Sequence, residues 1–524
     1  MSFKMIRIIV FLVCALGIDA AKILFVIPTP SISHQLPIRP LTQELAKRGH
    51  NVVVITTDPI YPKGSAPFNF TEIDLHEISY KIWREKVLIA TTSKGSSDDL
   101  EHQITLMYNL LTDIFEVQME TAEVKTLIKD KTKKFDLIFL EALSRPALLF
   151  SHIYKVPVIL ISSFLSTYNN LDVLGAPSHR ILYPEITRQK INNISQWEKA
   201  KEMYMQHKLE KIINDAEVKQ NAVIKKVLGR DAPTIDMLYN NVDMLFLNSH
   251  PIWDSNRPVP PSVVYLGGIH KNPRKDLPKD LKAYLDSSKH GVIYISYGTN
   301  VSPSALPAEK IQMLARVFSR LPYDVLWKWD KDELPGKPKN VKISKWLPQS
   351  DLLRHPKLKV FITQGGLQST DEAIDAGVPL IGMPMLGDQW FNVENYVKHG
   401  IGVRLDMDTL TEEKFQNAIE KVINDQSYRQ NIIKLRDLIN DQPQSPLERA
   451  VWWTEHILRH GGGRHLRSPA ANISWTQYYE VELITYLLAG LLLVLVIFAT
   501  VIIYTVRFVS QIINSNSKLK SKEL

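Results

Sequence analysis

The sequence predicts an α/β protein in which two doubly wound domains face each other across a cleft and one membrane-spanning helix follows. Three observations lead to this prediction. Strand and helix patterns alternate from residue 22, a proline- and turn-rich stretch interrupts them at 251–280, and a second alternation follows. Close to the C-terminus, residues 483–506 form a stretch without a charged side chain.

The first domain is predicted to span residues 21–250 and opens with a strand–helix–strand unit. Ile38–Arg48 has the apolar periodicity of a helix, and Gly49 is a natural residue to end it. Between Ile186 and Val227 a charged insertion favours amphipathic surface helices, although its Met and Tyr side chains could instead line an apolar pocket. Short apolar runs predict buried strands at Ile23–Ile27, Val52–Ile55, Phe135–Leu143 and Val156–Ser163.

The second domain is predicted at residues 281–445, after a linker at 251–280. Its apolar runs alternate with helical stretches such as Ala308–Arg320. Residues 446–482 are predicted as a helical juxtamembrane segment. Because both halves alternate in this way, we expect two parallel sheets covered by helices.

Both ends of the chain carry targeting patterns. Residues 1–20 have basic residues before a short apolar core, which predicts a signal peptide. Residues 483–506 are long enough to cross a bilayer at about 1.5 Å per residue, and the basic residues beyond them predict a cytoplasmic tail at 507–524. We therefore expect a type I single-pass protein with lumenal domains. The terminal KSKEL is similar to a dilysine signal for the endoplasmic reticulum, although a plain basic flank explains the same lysines.

Composition excludes several classes of function. The only cysteine, Cys14, lies in the signal segment, so we expect neither a disulfide nor a thiol nucleophile. The formal net charge of +8 includes +3 in the tail and +1 in the signal segment, and the remaining +4 is too small to predict nucleic-acid binding. N-glycosylation is predicted at Asn69, Asn193 and Asn472, whereas the sequon at Asn300 lies in a loop assigned below to the ligand.

Two glycine-containing loops follow strands of the second domain. Gly365 and Gly366 stand between an apolar run and a helix that continues to Ala376, and Ser296–Asn300 forms the second loop. Helix N-termini and bare glycine backbone favour phosphate groups, because free N–H groups point at the anion. The two loops therefore predict a site for a nucleotide diphosphate. Neither matches G-x-G-x-x-G or the P-loop, which argues against a dinucleotide oxidoreductase or an NTPase.

The segment WLPQSDLLRHPKLKVFITQGGLQSTDEAIDAGVPLIGMPMLGDQWFN, Trp346 to Asn392, resembles the signature of the UDP-glycosyltransferases, family 1 of the GT-B fold. The likeness extends over nearly the whole chain and is greatest with membrane-bound insect members. It implies two Rossmann-like domains, of which the first binds the acceptor and the second the UDP-sugar. It also implies that no cofactor or metal is needed, so the D-x-D sequences at Asp330–Asp332 and Asp406–Asp408 are not expected to bind one.

The resemblance implies a role for each polar residue of the donor site. Trp346 would stack on the uracil ring, and Gln349 would hydrogen-bond uracil or ribose. Glu372 would accept hydrogen bonds from the ribose, and Asp388 and Gln389 would bind the sugar, although Asp388 could instead be a helix N-cap. The residues expected at the diphosphate are Ser296, Gly298, Gln364, Gly365, Gly366 and Ser369.

Gln364 departs from the family pattern, in which a histidine usually precedes the glycine pair. A glutamine can donate an N–H to a phosphate but carries no charge. We therefore expect the backbone to contribute more to phosphate binding here.

His34, just after the first strand, occupies the position of the family's catalytic base. Such a base takes a proton from the acceptor hydroxyl, and a carboxylate on its other ring nitrogen fixes its tautomer. The family's usual aspartate is replaced by Glu141 in FDLIFLEAL, and Asp136 on the same strand is the alternative partner.

The function expected from the resemblance is inverting transfer of a sugar, glucose from UDP-glucose, to a hydroxyl of small lipophilic acceptors. Transfer from UDP-glucuronic acid is the alternative among enzymes. A catalytically silent membrane protein that binds lipophiles or UDP-sugars is the alternative from another class. The expected partners are the donor, the acceptor and the membrane, with no nucleic acid, and self-association is left open.

Overall fold

A computed structural model of the chain describes residues 20–90, 100–130, 132–167, 170–271 and 273–520. All of the predicted signal segment except Ala20 lies outside these residues, as do residues 521–524 of the predicted tail. The chain forms two compact units, one ending at Ser468 and the other beginning at Pro469.

The first sheet has seven described strands, all parallel, in the order β3-β2-β1-β4-β5-β6-β7. Its central strands are buried on both faces, which explains why they read as continuous apolar runs. The predicted strands are confirmed with small shifts at their ends. The strands are β1 Lys22–Ile27, β2 Asn51–Thr56, β3 Phe70–Asp74, β4 Leu137–Glu141, β5 Val158–Ser162, β6 Val242–Leu247 and β7 Val263–Tyr265.

The second sheet has six described strands, again parallel, in the order β10-β9-β8-β11-β12-β13. Both sheets reverse their strand order beside a central strand. Such reversal points are where doubly wound sheets bind ligands, at the carboxyl ends of the strands. The strands are β8 Val292–Ser296, β9 Asp324–Lys328, β10 Val341–Ser344, β11 Leu358–Thr363, β12 Leu380–Gly382 and β13 Gly402–Arg404.

Helices connect and cover the strands, and the helix predicted at Ala308–Arg320 is confirmed at both ends. The described helices are α1 Ile32–Gln35, α2 Arg39–Lys47, α3 His76–Ala90, α4 Leu100–Met119, α5 Ala122–Lys129, α6 Leu149–Tyr154, α7 Gln196–Leu228, α8 Ile235–Leu238, α9 Lys279–Ser287, α10 Ala308–Arg320, α11 Gln349–Leu353, α12 Leu367–Ala376, α13 Gln389–Lys398, α14 Glu412–Asn424, α15 Gln426–Asn440, α16 Pro446–His460, α17 Trp475–Tyr478 and α18 Val481–Lys520, with short 3-10 turns at Arg145–Leu148, Asp172–Leu174, Tyr239–Asn241, Pro303–Ala305, Met407–Thr409 and Arg464–Leu466.

Two domain boundaries differ from the prediction. Strand β7 lies inside the stretch predicted as a linker, so the first sheet extends beyond residue 250. Helix α16, predicted as part of a juxtamembrane segment, returns to the first domain. There Ala450 and Val451 are buried against the core of the first sheet, and Glu455 pairs with Arg48 at 3.1 Å. Both corrections arise from long-range packing, which leaves no local signal in the sequence.

The charged insertion forms α7, a helix of 33 residues that begins with a capping box at Ser195 and Glu198. Its Tyr204 is exposed, so the idea that the Tyr residues line a pocket is wrong for this side chain. The opposite face packs Leu209 and Ile213 against α4, as the amphipathic interpretation predicts.

Asn69 is a poor glycosylation site in this structure. Its side chain is buried, and Nδ2 donates to the backbone O of Ala46 at 2.7 Å and of His50 at 3.0 Å. A glycan would require these bonds to break, so the prediction for Asn69 is wrong in the folded state. Asn193 and Asn472 are exposed.

The second unit contains α18, which is long and apolar enough to cross a membrane. The uncharged stretch predicted at 483–506 lies within it. This observation is consistent with one C-terminal membrane anchor.

Candidate active site

A histidine and a carboxylate meet at the carboxyl edge of the first sheet. Strands β1 and β4 are neighbours; α1, which carries His34, follows β1, and Glu141 ends β4. His34 Nδ1 lies 2.6 Å from Glu141 Oε1, and Glu141 Oε2 accepts from the backbone N–H of Thr29 at 3.1 Å. The carboxylate is 2% exposed and His34 13% exposed. The imidazole is thus oriented from one side and open to the cleft from the other.

Asp136, the alternative partner, does not reach His34. It lies before the start of β4, and its Oδ2 accepts from the backbone N–H of Lys22 at 2.7 Å. The parallel register places this pair at the amino edge of the sheet, whereas His34 is at the carboxyl edge.

Gln35, next to the histidine, fixes the loop between β1 and α1. Its buried Nε2 lies 3.1–3.2 Å from the backbone O of Ile27 and of Thr29, and its Oε1 accepts from Thr56 Oγ1 at 2.9 Å. Loss of these bonds would free the backbone that carries His34. The sequence pattern did not indicate this role, although Gln35 directly follows the histidine.

In the second domain, three of the predicted donor-site residues form one hydrogen-bond network. Gln349 Nε2 donates to Ser369 Oγ at 2.9 Å and to Glu372 Oε2 at 2.7 Å, while Gln349 Oε1 accepts from the Tyr294 hydroxyl at 3.0 Å. Burial raises the pKa of Glu372, and the hydrogen bond from Gln349 opposes this shift. The network aligns a carboxylate and a hydroxyl near the start of α12.

Of the two glycines at the start of α12, only one occupies a position that excludes a larger residue. Gly365 has φ +94°, and a Cβ there would lie 2.6 Å from Val393 Cγ2. Gly366 precedes the helix as its N-cap with φ −63°, and a Cβ would come no closer than 3.6 Å to Gln364 Nε2. Gly365 is therefore needed for packing, whereas Gly366 leaves open space beside the helix N-terminus.

Gln364 points at the other glycine loop. A Cβ on Gly298, which has φ +71°, would lie 2.4 Å from Gln364 Nε2. The Oε1 of Gln364 is buried and has no hydrogen-bond partner among the described residues. Ser296 Oγ accepts from the backbone N–H of Gly298 at 3.2 Å, which holds the second loop.

Trp346 presents a ring that the protein leaves largely uncovered, since it is 68% exposed. Lys328 Nζ lies 4.9 Å from the ring centroid and donates to the backbone O of Gly298 at 2.7 Å. The aromatic ring and the glycine loop are thus bridged by one lysine at the end of β9, a contact that no local sequence pattern indicated.

A cavity of about 250 Å³ lies between the two domains. His34 is in its wall on the first domain, and Asp388 and Gln389 are in its wall on the second. Among the described lining residues there is no lysine or arginine. The apolar part of the wall comes mainly from α4, α7 and neighbouring loops, and contains Leu106, Met107, Leu110, Leu111, Leu143, Phe164, Ile186, Leu209, Ile213 and Leu386.

Asp388 and Gln389 are held differently. Gln389 Oε1 accepts from the backbone N–H groups of Met385 and Leu386 at 2.8 and 2.9 Å, which orients its amide. Asp388 is the residue before α13, but its side chain makes no N-cap hydrogen bond; Oδ2 accepts from Asn392 Nδ2 at 2.8 Å. Burial raises the pKa of Asp388 to about 6. The carboxylate is thus directed to the cleft rather than to the helix end.

Residues 21–516 match the family model described as UDP-glucoronosyl and UDP-glucosyl transferase. The chain belongs to the UDP-glycosyltransferase family. It is therefore a UDP-glycosyltransferase, an enzyme that uses a UDP-sugar donor and an acceptor.

Relatives and solved structures agree with this assignment. The ecdysteroid UDP-glucosyltransferase of Spodoptera littoralis nuclear polyhedrosis virus is 36% identical, covering 92% of this chain and 96% of the relative. UDP-glucosyltransferase 2 of Dactylopius coccus is 31% identical, covering 93% and 94%. The crystal structure of the glycotransferase of kitacinnamycin has a TM-score of 0.55 at 18% identity and covers 85% of this chain and 100% of its own. The last match supports the GT-B fold.

The two acidic D-x-D sequences of this UDP-glycosyltransferase make contacts within the protein. Asp330 accepts from the N–H and the hydroxyl of Ser304 at 3.0 and 2.6 Å, and Asp406 pairs with Arg404 at 2.8 Å. Among the described residues, no group of three or more His, Cys, Asp or Glu is arranged to hold a metal ion.

Proposed function

We propose that this UDP-glycosyltransferase transfers glucose from UDP-glucose to a hydroxyl of small lipophilic acceptors, with inversion at the anomeric carbon. The observation that carries the proposal is that His34, which pairs with Glu141, lines a largely apolar cavity. Asp388 and Gln389 stand in the opposite wall of the same cavity, where they can bind the hydroxyls of a sugar.

The chemistry follows from this arrangement. The acceptor hydroxyl gives its proton to His34 Nε2, while Nδ1–H donates to Glu141 and the resulting imidazolium is stabilised by that carboxylate. The acceptor oxygen forms a bond to the anomeric carbon from the face opposite UDP. The bond between that carbon and the β-phosphate oxygen breaks, and UDP leaves with the electron pair. Backbone N–H groups near Gly298 and Gly366 stabilise its charge.

Glucose is favoured over glucuronic acid by the charge of the site. A donor carboxylate would need a cation, and the described lining of the cavity offers no lysine or arginine and adds the carboxyl of Asp388. The names of two relatives also describe glucosyl transfer. A neutral hexose brings no charge into these surroundings, and its hydroxyls can hydrogen-bond Asp388 and Gln389.

The apolar wall supports a lipophilic acceptor, because burial of apolar surface contributes about 25 cal/mol per Å² to binding. Several viral relatives are named for ecdysteroids, so a steroid belongs among the acceptors to be tested. We further propose that the enzyme is anchored by α18 in the endoplasmic reticulum membrane, with the two domains lumenal, and that it conjugates small molecules there.

The test uses microsomes that contain the full chain or its His34→Ala variant, supplied with UDP-glucose or UDP-glucuronic acid. Acceptors would be simple phenols and an ecdysteroid, with products identified by mass and the anomeric configuration by NMR. We expect β-glucosides from the α-linked donor with wild type alone. Glucuronides, or α-glucosides, would contradict the donor or the stereochemistry. UDP binding without product from any acceptor would favour a silent binding protein.

A further inference from the structure

Lys328 is a mostly buried cation without a counter-ion. It ends β9, at the carboxyl edge of the second sheet. Among the described residues, no carboxylate forms an ion pair with its ammonium group, and burial lowers its pKa. Its contacts are the backbone O of Gly298 at 2.7 Å and the ring of Trp346, whose centroid is 4.9 Å away.

Burying an ammonium group that has no anionic partner destabilises a folded protein, because its hydration is lost without compensation. A carbonyl oxygen and an aromatic ring compensate only part of this loss. The position therefore suits a ligand that brings the missing negative charge. Lys328 contacts Gly298, which is assigned to the diphosphate, and Trp346, which is assigned to the uracil ring.

We propose that Lys328 is the counter-ion of the donor diphosphate and stabilises the charge on UDP as it leaves. This inference rests on the donor placement proposed above. Gln364 approaches Gly298 closely with a neutral amide, so it cannot supply this charge. Lys328 contacts the same glycine through its carbonyl and carries the positive charge to the loop.

A purely structural role would also explain the contacts of Lys328, since the lysine could simply hold the Trp346 ring in place. The two roles differ in what they do to ligands with different numbers of phosphates. A clamp on the ring affects uridine, UMP and UDP equally, because each carries the base. A counter-ion affects UDP most and uridine least.

The experiment measures dissociation constants of uridine, UMP and UDP by calorimetry on the full chain purified in detergent, at low and high salt. The variants are Lys328→Met, Lys328→Arg and Trp346→Ala. Lys342→Met is the matched control, because Lys342 also lies over an aromatic ring in the same domain, 4.8 Å from the centroid of Tyr284. Comparing ligands within one variant removes the effect of any unfolded fraction.

In Lys328→Met we expect UDP to bind about tenfold more weakly or worse, with uridine changed less than about twofold. Lys328→Arg should retain UDP binding within about threefold, and Lys342→Met should match wild type. The salt dependence of UDP affinity should become shallower in Lys328→Met. Equal weakening of uridine and UDP would overturn the proposal in favour of the ring clamp, and unchanged UDP binding would overturn it outright.

Trp346→Ala distinguishes a failure of this inference from a failure of the donor placement. If it weakens all three ligands while Lys328→Met does not weaken UDP, the donor site stands and the role of Lys328 is wrong. If neither variant alters any ligand, the donor placement is wrong and the inference fails with it.

Discussion

The two domains differ in how far their functional side chains are satisfied by the protein itself. In the first domain, both oxygens of Glu141 have partners, His34 is fixed through Nδ1, and Gln35 is bonded at both ends of its amide. In the second, among the described residues, Gln364 Oε1 has no partner and Lys328 has no counter-ion. On the proposed roles, the base is pre-organised before substrates arrive, whereas the phosphate part of the donor site is completed by its ligand.

The largest loss of activity should come from disrupting the pre-organised His34–Glu141 pair of the first domain. Glu141→Gln removes the charge that stabilises imidazolium and permits the wrong tautomer of His34, so we expect kcat/KM to fall about 10²-fold or more with UDP affinity unchanged. Steady-state kinetics and UDP calorimetry measure both quantities. Asp136→Asn, just before the start of the same strand, is the control and should stay within about twofold. A large loss in that control instead would mean that the pairing seen here is not the working one.

On the donor side, Glu372→Gln should weaken UDP about tenfold, because the carboxyl group proposed to accept from the ribose hydroxyls is replaced by an amide. Calorimetry with UDP tests this, and the exposed Glu413→Gln serves as control. Transfer at saturating donor should fall much less than in Glu141→Gln. Equal losses of kcat in the two variants would contradict the assignment of donor binding to the second domain and of proton transfer to the first.

The glycine pair offers a matched comparison within one loop. Gly365→Ala must place a Cβ at φ +94° and 2.6 Å from Val393 Cγ2, and a left-handed alanine alone costs about 1–2 kcal/mol. We expect the midpoint of thermal unfolding to fall by about 5 °C. Gly366→Ala, with ordinary φ, should shift it by no more than about 1 °C, measured by scanning fluorimetry. A reversed order would contradict the packing described for Gly365.

Features of the fold that are determined by neighbouring residues could be predicted from the sequence, whereas those that depend on packing between distant segments could not. The helix at Ala308–Arg320 and the start of α12 were predicted from local periodicity and glycine placement. The short strand β7, between proline-rich turns, and the return of α16 to the first domain depend on packing between distant segments. The contacts of Lys328 with Gly298 and of Gln364 with the same glycine join neighbouring strands far apart in sequence, so no local pattern could indicate them.

The site residues divide in the same way. Resemblance placed His34 and Glu141 together, but choosing Glu141 over Asp136 required knowing which edge of the sheet each occupies. The buried glutamine at position 35 and the bridging Asn392, which also donates to the backbone O of Gly365 at 2.9 Å, act through hydrogen bonds that only the folded chain defines.

The smallest predicted effect concerns Asp388. Burial raises its pKa to about 6 from an unfolded value of 3.8, so the folded protein holds this proton more tightly and loses stability as pH rises from about 4 to about 6. Asp388→Asn should therefore raise the unfolding midpoint at pH 7.5 by about 2 °C, well below the effect of the full pKa shift because the carboxyl is partly exposed. The gain should vanish near pH 4, while glucosyl transfer falls. Scanning fluorimetry across pH measures this. A destabilised variant at pH 7.5 would show that the ionised carboxylate of Asp388 stabilises the folded protein, and would contradict this prediction.

The most direct test of the division between a pre-organised base and a ligand-completed donor site is one pair of measurements on His34→Ala: the dissociation constant of UDP-glucose and the rate of a single turnover with a saturating phenol. We expect an unchanged dissociation constant, within about twofold, and a turnover rate reduced about 10²-fold or more. Retained turnover, or a donor affinity that falls together with the rate, would contradict it.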